Sequence, residues 1–323
     1  MAAKGRTQVE VEQLLADCLR DARDISLGTV PVVPEGPAYA AARRTFLTAG
    51  LSALRVGVPE AGWVQINLAP GPSARRRTYR FLADTARDLI ASGMVKSFFF
   101  MHKPPGLRAR FEGPKHQPEL LRAELTDRLH HLDGQAAAPV CGMYEPETYL
   151  FGGLRSMRLV HELFTVDSLA WLDHHTDGGP EALADWRLSL VLLGELLGGL
   201  GVVGWEHRGV WEVVRDDTGR RLGTGLDGDA RRAATGILDA WHAGPRALLD
   251  PLPDKRRTAV EAHAAAVRRG AERWRTGYFE SGDAIVGPRR AAAYYVIFHW
   301  NRGRLSLARQ SLLTHALAGD GRF

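Results

Sequence analysis

The stretch 96–111, KSFFFMHKPPGLRARF, decides the fold that we expect for this chain. The aromatic run at 96–102 predicts a β-strand, and the Pro-Pro-Gly sequence at 104–106 predicts a tight turn. Residues 107–111 predict a second strand, so the stretch is a candidate β-hairpin. A third strand is predicted at 63–68, where WVQINL alternates polar and apolar residues.

The rest of the sequence is dominated by helical periodicity. We predict helices at 9–24, 38–54, 117–131, 154–172, 181–200, 230–249, 255–276, 289–300 and 306–317, and one ending near Ser92 with Ser73 as its N-cap. Gly57 to Gly62 is predicted as a loop, Gly152-Gly153 as a turn, and 140–148 and 210–214 as weaker strands. Because strands and helices do not alternate, the order favours an α+β fold, an antiparallel sheet flanked by many helices.

The composition is that of an ordinary globular protein with a modest positive charge. The 323 residues carry a formal charge of +5, and the arginines are scattered instead of forming a dense stripe. We therefore expect no nucleic-acid partner, and a polar peptide with acidic groups suits this charge better. Two cysteines, Cys18 and Cys141, cannot build a disulfide framework. We find no apolar signal segment or membrane span, and so expect a cytoplasmic protein without a membrane partner.

Sequence motifs for cofactors and metals fail their spacing tests. GTGLDG at 223–228 matches a dinucleotide-binding pattern, but a charged turn at 216–221 precedes it instead of a buried strand. His161-Glu162 lacks the second histidine of a zinc-protease motif, and no Gly-x-Ser-x-Gly elbow occurs. We expect neither a metal nor a cofactor.

Paired charges on the hairpin and beyond it are the first candidates for chemistry. Arg108 and Arg110 are two residues apart on a predicted strand, so their guanidinium groups share a face and can clamp a carboxylate or a carbonyl oxygen. Glu145 and Glu147 would share a strand face and could transfer protons or pair with arginines. A solvent-facing charged strip and simple ion pairing fit the same spacing.

A second candidate group lies on the predicted helix at 289–300 and just beyond its end. Tyr295, His299 and Arg302 follow one another at four and three residues, so they share a helix face. Histidine exchanges a proton near neutral pH, while a tyrosine and an arginine can polarise a carbonyl group. A hydrogen-bonded core histidine in an aromatic helix fits this spacing equally well.

Four segments together resemble one known family. They are FFMHKPPGLRARF at 99–111, YEPETYLFGG at 144–153, FTVDS at 164–168 and IFHWNR at 297–302. Their order and spacing resemble the thiopeptide-type bacteriocin biosynthesis family, which is related to the C-terminal, glutamate-eliminating domain of class I lanthipeptide dehydratases. The resemblance implies that fold for a domain at 63–323. The preceding helical segment, 1–62, would then pack against that domain or recognise a leader peptide.

The resemblance implies an enzyme of ribosomal-peptide maturation and leaves two chemistries open. In one, a glutamylated serine or threonine loses glutamate and becomes a dehydroamino acid. In the other, two dehydroalanines of a thiazole-containing precursor peptide join in a formal [4+2] cycloaddition, and loss of water and leader peptide gives a pyridine and a macrocycle. The expected partners are the modified precursor peptide and other maturation enzymes. A non-catalytic leader-binding protein and a subunit of a separate glutamylating enzyme are the competing interpretations.

The resemblance also assigns roles to individual residues. Arg108 and Arg110 match the arginine pair of eliminating domains, Glu147 matches their acid and His299 their histidine, and we add Tyr295 as a further catalytic candidate. The expected substrate-binding residues are Tyr294, Arg302, Tyr144, Glu145 and His102.

One position departs from the pattern of eliminating domains. They place an arginine three residues after the acid, whereas this chain has Leu150. Loss of a permanent cation from a site for a glutamyl carboxylate is not conservative. The retained arginine pair and His299 favour elimination, but this departure and the turn that begins at Lys103 favour pyridine formation, which is the function we expect.

Overall fold

The structure is a computed structural model whose described residues are 11–26, 39–43, 45–46 and 62–319. Within the last range, 105, 115–117, 131, 133, 136, 180–181 and 224–226 lie outside the described part. The chain divides into two units, 1–60 and 61–323. In the first unit, helix α1 (Val11–Ser26) agrees with the predicted period and buries Leu14 and Cys18. Residues 39–43 and 45–46 are helical, but the rest of the helix predicted at 38–54 and nearly all of the predicted loop before Trp63 lie outside the described residues.

The second unit contains a four-stranded antiparallel sheet with strand order β2-β3-β1-β4. Its strands are β1 (Trp63–Leu68), β2 (Ser97–Lys103), β3 (Gly106–Glu112) and β4 (Val140–Gly142). Strands β2 and β3 form the predicted hairpin, and its register pairs Phe99 with Arg110. The α+β prediction is confirmed, since many helices flank this antiparallel sheet.

Helices make up most of the second unit. They are α2 (Arg75–Ala91), α3 (Pro118–His130), α4 (Thr148–Phe151), α5 (Leu154–Thr176), α6 (Asp185–Leu200), α7 (Glu206–Thr218), α8 (Gly228–Leu249), α9 (Asp254–Trp274), α10 (Pro288–Arg302) and α11 (Leu307–Ala318). A π-helical turn, Arg275–Phe279, follows α9. The most apolar helix, α6, is buried along most of its length, as a central helix must be.

The outer edge of the sheet is covered by hydroxyl groups of helix α5. The backbone N–H of Phe98 donates to Thr165 Oγ1 at 2.9 Å, and that of Phe100 donates to Ser168 Oγ at 3.3 Å. These bonds satisfy the outward-facing donors of β2, which would otherwise be free to pair with another chain. They also hold the middle of α5, including Asp167, beside the sheet.

Several local predictions were wrong. Residues 210–214 were predicted as a strand but belong to α7, in which Val210, Trp211 and Val214 are buried at helical spacing. The N-cap of α2 is Ala74, without a side-chain cap bond, so Ser73 does not cap it. Of the strand predicted at 140–148, only Val140–Gly142 pairs with β1, and a short helix begins at Thr148. Glu145 and Glu147 therefore do not share a strand face.

Candidate active site

Arg110 occupies the middle of the sheet face and is held on several sides. It is 6% exposed, and its Nε donates to Gln65 Oε1 at 2.7 Å on the neighbouring strand β1. Its guanidinium carbon lies 4.9 Å from the ring centre of Phe99 and 4.6 Å from that of Tyr144. Cation–π contacts of this kind fix a planar guanidinium in one orientation. Arg110 is thus a preorganised, buried positive charge.

Arg108 shares this face and is half-buried. The β2–β3 register sets it opposite Met101, whereas Leu107 beside it points to the other face and is buried. No hydrogen bond or ion pair ties down its guanidinium within the described part of the chain. Of the two arginines, Arg108 therefore offers more unused donors to a ligand.

Glu147 faces these arginines from the segment that follows β4. It precedes helix α4 as its N-cap residue, and its Oε2 atom is buried without a hydrogen-bond partner among the described residues. Burial raises the pKa of Glu147, and the positive charges of Arg110, Lys103 and Arg108 act in the opposite direction. A carboxylate in this setting is a stronger base than an exposed one.

The turn after Glu147 depends on glycine. Gly152 and Gly153 have φ angles of 87° and 96°, which favour glycine, and a Cβ atom at Gly152 would collide with the hydroxyl of Tyr278. This turn ends α4, starts α5 and fixes the approach of Glu147 to the sheet.

Tyr144 links the arginine pair to helix α5. Its hydroxyl oxygen is hydrogen-bonded to His161 Nε2 at 2.7 Å, and its ring packs against Arg110. Burial lowers the pKa of His161 to about 3, with smaller contributions from the charges of Arg110 and Lys96. The imidazole is therefore neutral at neutral pH, with one ring nitrogen that donates and one that accepts.

His299 lies in the core, with both ring nitrogens engaged. Its Nδ1 lies 2.8 Å from Asp167 Oδ1, and its Nε2 lies 3.0 Å from Ser189 Oγ. Ser189 in turn accepts a hydrogen bond from the indole N–H of Trp300 at 3.0 Å. The indole N–H of Trp171 also lies 3.2 Å from the same Nδ1 atom. The ring is 0% exposed, so it contacts protein groups alone in this conformation.

Asp167 joins His299 to Arg302. Its Oδ2 accepts from Arg302 Nε at 2.6 Å, and all three side chains are fully buried. Burial by itself would raise the pKa of Asp167, but the charges of His299 and Arg302 and their hydrogen bonds hold it below its usual value. The result is a buried carboxylate that orients a histidine and an arginine together.

The far end of Arg302 has donors to spare. Its guanidinium carbon lies 4.3 Å from the ring centre of Phe164, and its Nη1 and Nη2 atoms have no hydrogen-bond partner among the described residues. The hydroxyl of the neighbouring Tyr295 is likewise buried without a partner. Burial raises the pKa of Tyr295 well above its usual value, and the charge of Asp167 adds to this effect.

The arginine pair of the hairpin and Arg302 at the end of α10 are close enough for their charges to interact. Burial lowers the pKa of Arg110, and the positive charges of Arg108 and Arg302 act in the same direction, while Tyr144 and Glu147 oppose them. The hairpin, the segment at Glu147 and the end of α10 are therefore close enough for their charges to act on one another.

Comparison with known proteins identifies the family of this fold. The family model of the C-terminal region of lantibiotic biosynthesis dehydratases matches residues 63–319. The chain belongs to this family.

A solved structure, the tRNA-dependent lantibiotic dehydratase MibB from Microbispora sp. 107891, has the same fold, with a TM-score of 0.56 and 19% sequence identity. The match covers 90% of this chain but 28% of MibB, so the chain spans about a quarter of that protein. No curated protein matches the sequence significantly.

His102 lies apart from the arginine pair of this dehydratase-family domain. It pairs with Leu107 across the hairpin and so belongs to the opposite face of the sheet. Its Nδ1 donates to the Asn301 carbonyl oxygen at 3.0 Å, and its Nε2 accepts from the Tyr79 hydroxyl at 2.9 Å. Burial lowers the pKa of His102 to about 3, and the charge of His175 acts in the same direction. Its predicted role in substrate binding would thus operate from the other face.

Two more predicted binding residues also lie elsewhere in the domain or on its surface. The hydroxyl of Tyr294 donates to Asp217 Oδ2 at 3.1 Å and accepts from Arg290, so this side chain joins α10 to α7. Glu145 is exposed, two residues before the half-buried Glu147. The structure thus brings together Arg108, Arg110, Glu147 and Tyr144, with Tyr295, His299 and Arg302 behind them.

Sequence reasoning gave no role to three residues that complete the site of this family member. They are Asp167, Ser189 and Gln65. One signal was available for Asp167, because FTVDSLAWL places a single carboxylate within an apolar helical stretch. A buried charge there requires a partner.

No described helix is long and apolar enough to cross a membrane.

Proposed function

We propose that this chain eliminates glutamate from glutamylated serine or threonine residues of a modified precursor peptide. Membership of the dehydratase C-terminal family supports a role in the maturation of ribosomally made peptides. The observation that carries the proposal is the arrangement of positive charge around a half-buried carboxyl group, one oxygen of which is buried without a partner among the described residues. Lys103, Arg108 and Arg110 all act on Glu147, whose Oε2 has no partner within the described chain.

The reaction needs a base and a site for an anionic leaving group. The base removes the proton from Cα of the glutamylated residue, the Cβ–O bond breaks, and the Cα–Cβ double bond forms. The departing carboxylate of glutamate takes the electrons of the broken bond. Glu147 is our candidate base, because a buried carboxylate with a raised pKa is better matched to this step at neutral pH.

Arg108 and Arg110 divide the binding of the glutamyl group between them. Arg110 is held by Gln65 and two aromatic rings. It therefore provides a fixed positive charge, and substrate binding costs no further side-chain entropy there. Arg108 is half-buried and has unused donors, which suits a bidentate contact to a carboxylate. Charge placed in advance of the reaction stabilises the leaving group as it forms.

His299 acts through its neighbours in this proposal. Because it is fully buried and bonded at both nitrogens, we infer that it positions Asp167, and through it Arg302, instead of touching the substrate. The catalytic role predicted for His299 from the family resemblance stays a prediction, and so do those of Arg108, Arg110, Glu147 and Tyr295.

The cation missing at Leu150 was the main argument against elimination. Leu150 packs against the hydrophobic core, and Lys103 adds a third positive charge that acts on Glu147. The charge that eliminating domains obtain from an arginine is therefore supplied here from the hairpin turn. This replacement moves the balance from cycloaddition to elimination.

A glutamylated peptide tests the proposal. The purified chain is incubated with a peptide that bears a glutamylated serine, and free glutamate and the dehydroalanine product are measured by mass spectrometry. We expect both to appear at equal rates and to disappear in Arg108→Gln. Unchanged peptide after long incubation would overturn the proposal.

The second candidate function is the formal [4+2] cycloaddition of two dehydroalanines, and Leu150 is the observation that favours it. An apolar residue beside the acid suits an uncharged dehydrated peptide better than a glutamyl group. A leader-bearing peptide with two dehydroalanines, given to the same preparation, would then yield free leader and a macrocycle. If this peptide is converted and the glutamylated peptide is not, cycloaddition replaces elimination as the proposed function.

A further inference from the structure

We propose a second binding site, for a carboxylate of the same substrate peptide, in a cavity at the hairpin end of the sheet. The cavity has a volume of about 240 Å³ and lies on the face opposite Arg108 and Arg110. Among its lining residues are three cations, Arg75, Lys103 and Arg304, and two polar groups, Tyr79 and His102. This inference rests on the proposed action of the chain on a peptide.

The positive charge of this cavity is not balanced by an acidic residue among its described lining residues. None of the described lining residues is a carboxylate. Arg75, Lys103 and Arg304 form no ion pair within 4 Å in the described part of the chain. Several of its other arginines do pair with an aspartate or glutamate. Three cations around one small hollow repel one another unless an anion enters.

The backbone places Arg304 over the cavity at some conformational cost. Arg304 has φ 54°, and it is the one described residue other than glycine with a positive φ. Gly303 before it packs against the ring of Trp171 so closely that a Cβ atom would clash. The turn after α10 is therefore fixed, and it presents an exposed guanidinium beside the hairpin.

The floor of the cavity is a rigid hydrogen-bonded chain. The hydroxyl of Tyr79 donates to His102, and His102 donates to the carbonyl oxygen of Asn301. This chain ties α2, β2 and the end of α10 together. Burial raises the pKa of Tyr79, and the charges of Arg304 and Arg75 act in the opposite direction, as expected for cations that converge on one hydroxyl.

Lys103 connects the cavity to the candidate active site. It lines the cavity, and its charge also acts on Glu147 on the other side of the hairpin turn. A peptide whose modified residue lies against Arg108 can therefore cross the turn and reach the cavity with a neighbouring acidic group. The small volume suits one carboxylate, supplied by an aspartate or glutamate side chain or by the C-terminus.

Peptide binding tests this inference without depending on turnover. The probes are fluorescein-labelled nonapeptides with a central glutamylated serine and blocked ends, in which a single aspartate is moved through the flanking positions. Each has an asparagine counterpart, and one further peptide has a free C-terminal carboxylate. Dissociation constants for the full chain are measured by fluorescence anisotropy.

We expect one aspartate position, or the free C-terminus, to tighten binding about tenfold over its neutral counterpart, the size of one charge-assisted hydrogen bond. Arg304→Gln and Arg75→Gln should abolish this preference. The matched control Arg309→Gln, an exposed arginine five residues further along, should keep it. The position that responds also distinguishes a side-chain carboxylate from a terminal one.

The outcomes separate this site from the proposed function. A preference that is absent from the wild-type chain, or that survives both Arg304→Gln and Arg75→Gln, would overturn the carboxylate site. Glutamate release with no preference would leave elimination standing without this cavity. A preference without glutamate release would keep the cavity and remove elimination.

Discussion

Asp167 binds one edge of Arg302, at 2.6 Å from Oδ2 to Nε, and leaves both terminal nitrogens of that guanidinium without a hydrogen-bond partner in the described structure. An unpartnered buried donor is costly, so a fully buried arginine with two of them needs a strong compensating charge. Asp167 is that charge, and it binds His299 as well.

Removing the charge of Asp167 should therefore destabilise the fold strongly. We expect Asp167→Asn to lower the free energy of unfolding by about 3–5 kcal/mol, because Arg302 would be left as a buried, uncompensated cation. The measurement is urea unfolding followed by circular dichroism. As a control, Asp283→Asn removes an acid from an exposed pair with Arg155, where a loss of no more than about 1 kcal/mol is expected. Equal losses for the two variants would contradict this account.

Glu147 and Glu145 offer a matched pair for testing the base. Glu147→Gln keeps the size of the side chain but removes the basic oxygen, so we expect glutamate release to slow by about 10²–10⁴-fold while peptide affinity changes little. Glu145→Gln, two residues away and exposed, should retain the wild-type rate. The readout is the single-turnover rate with a glutamylated peptide. A fully active Glu147→Gln enzyme would remove Glu147 from the mechanism.

Three histidines with lowered pKa values should make stability depend on pH. The pKa values of His102 and His161 fall to about 3 and that of His175 to about 4, mainly through burial. The unfolded chain takes up protons near pH 6.5 and the folded chain does not, so stability is full above that pH. It should fall by about 1.4 kcal/mol per pH unit for each histidine as the pH drops from 6.5 toward 4.

The histidine contributions can be separated by substitution. His161→Gln should reduce the slope of unfolding free energy against pH by about one proton, whatever its effect on stability at pH 7. His130→Gln, which changes an exposed histidine, should leave the slope as it is. Urea titrations at several pH values between 7 and 4.5 provide the measurement. The prediction fails if the His161→Gln slope equals that of the wild type.

Adjacent tyrosines on α10 should respond in opposite ways to loss of the hydroxyl. Tyr295→Phe removes a buried hydroxyl without a partner, so we expect stability to stay the same or rise by about 1 kcal/mol. Tyr294→Phe removes a hydrogen bond to Asp217 and should cost about 0.5–1 kcal/mol. Thermal and urea unfolding of both variants decide this, and a large loss in Tyr295→Phe would reveal a partner for its hydroxyl.

The sequence by itself determined the hairpin and the pairing of its charges. The strand ends predicted from 96–111 differ from β2 (Ser97–Lys103) and β3 (Gly106–Glu112) by one residue at each end, because aromatic runs and a Pro-Pro-Gly turn are local signals. Period two then put Arg108 and Arg110 on one face, and the helical period put Tyr295, His299 and Arg302 on another. These relations depend only on backbone geometry within one element.

Tertiary structure decided which groups pack against those faces and how deeply their side chains are buried. Segment 210–214 is rich in valine, yet it is helical because its buried residues pack against other helices, an effect that overrides local propensity. Asp167 and Arg302 are 135 residues apart, and only the packing of α5 beside α10 makes them partners. Burial also turned His299 from an expected proton carrier into a buried group bonded on both sides. Local periodicity fixes which side chains share a face, but desolvation and pairing depend on what the rest of the chain places against that face.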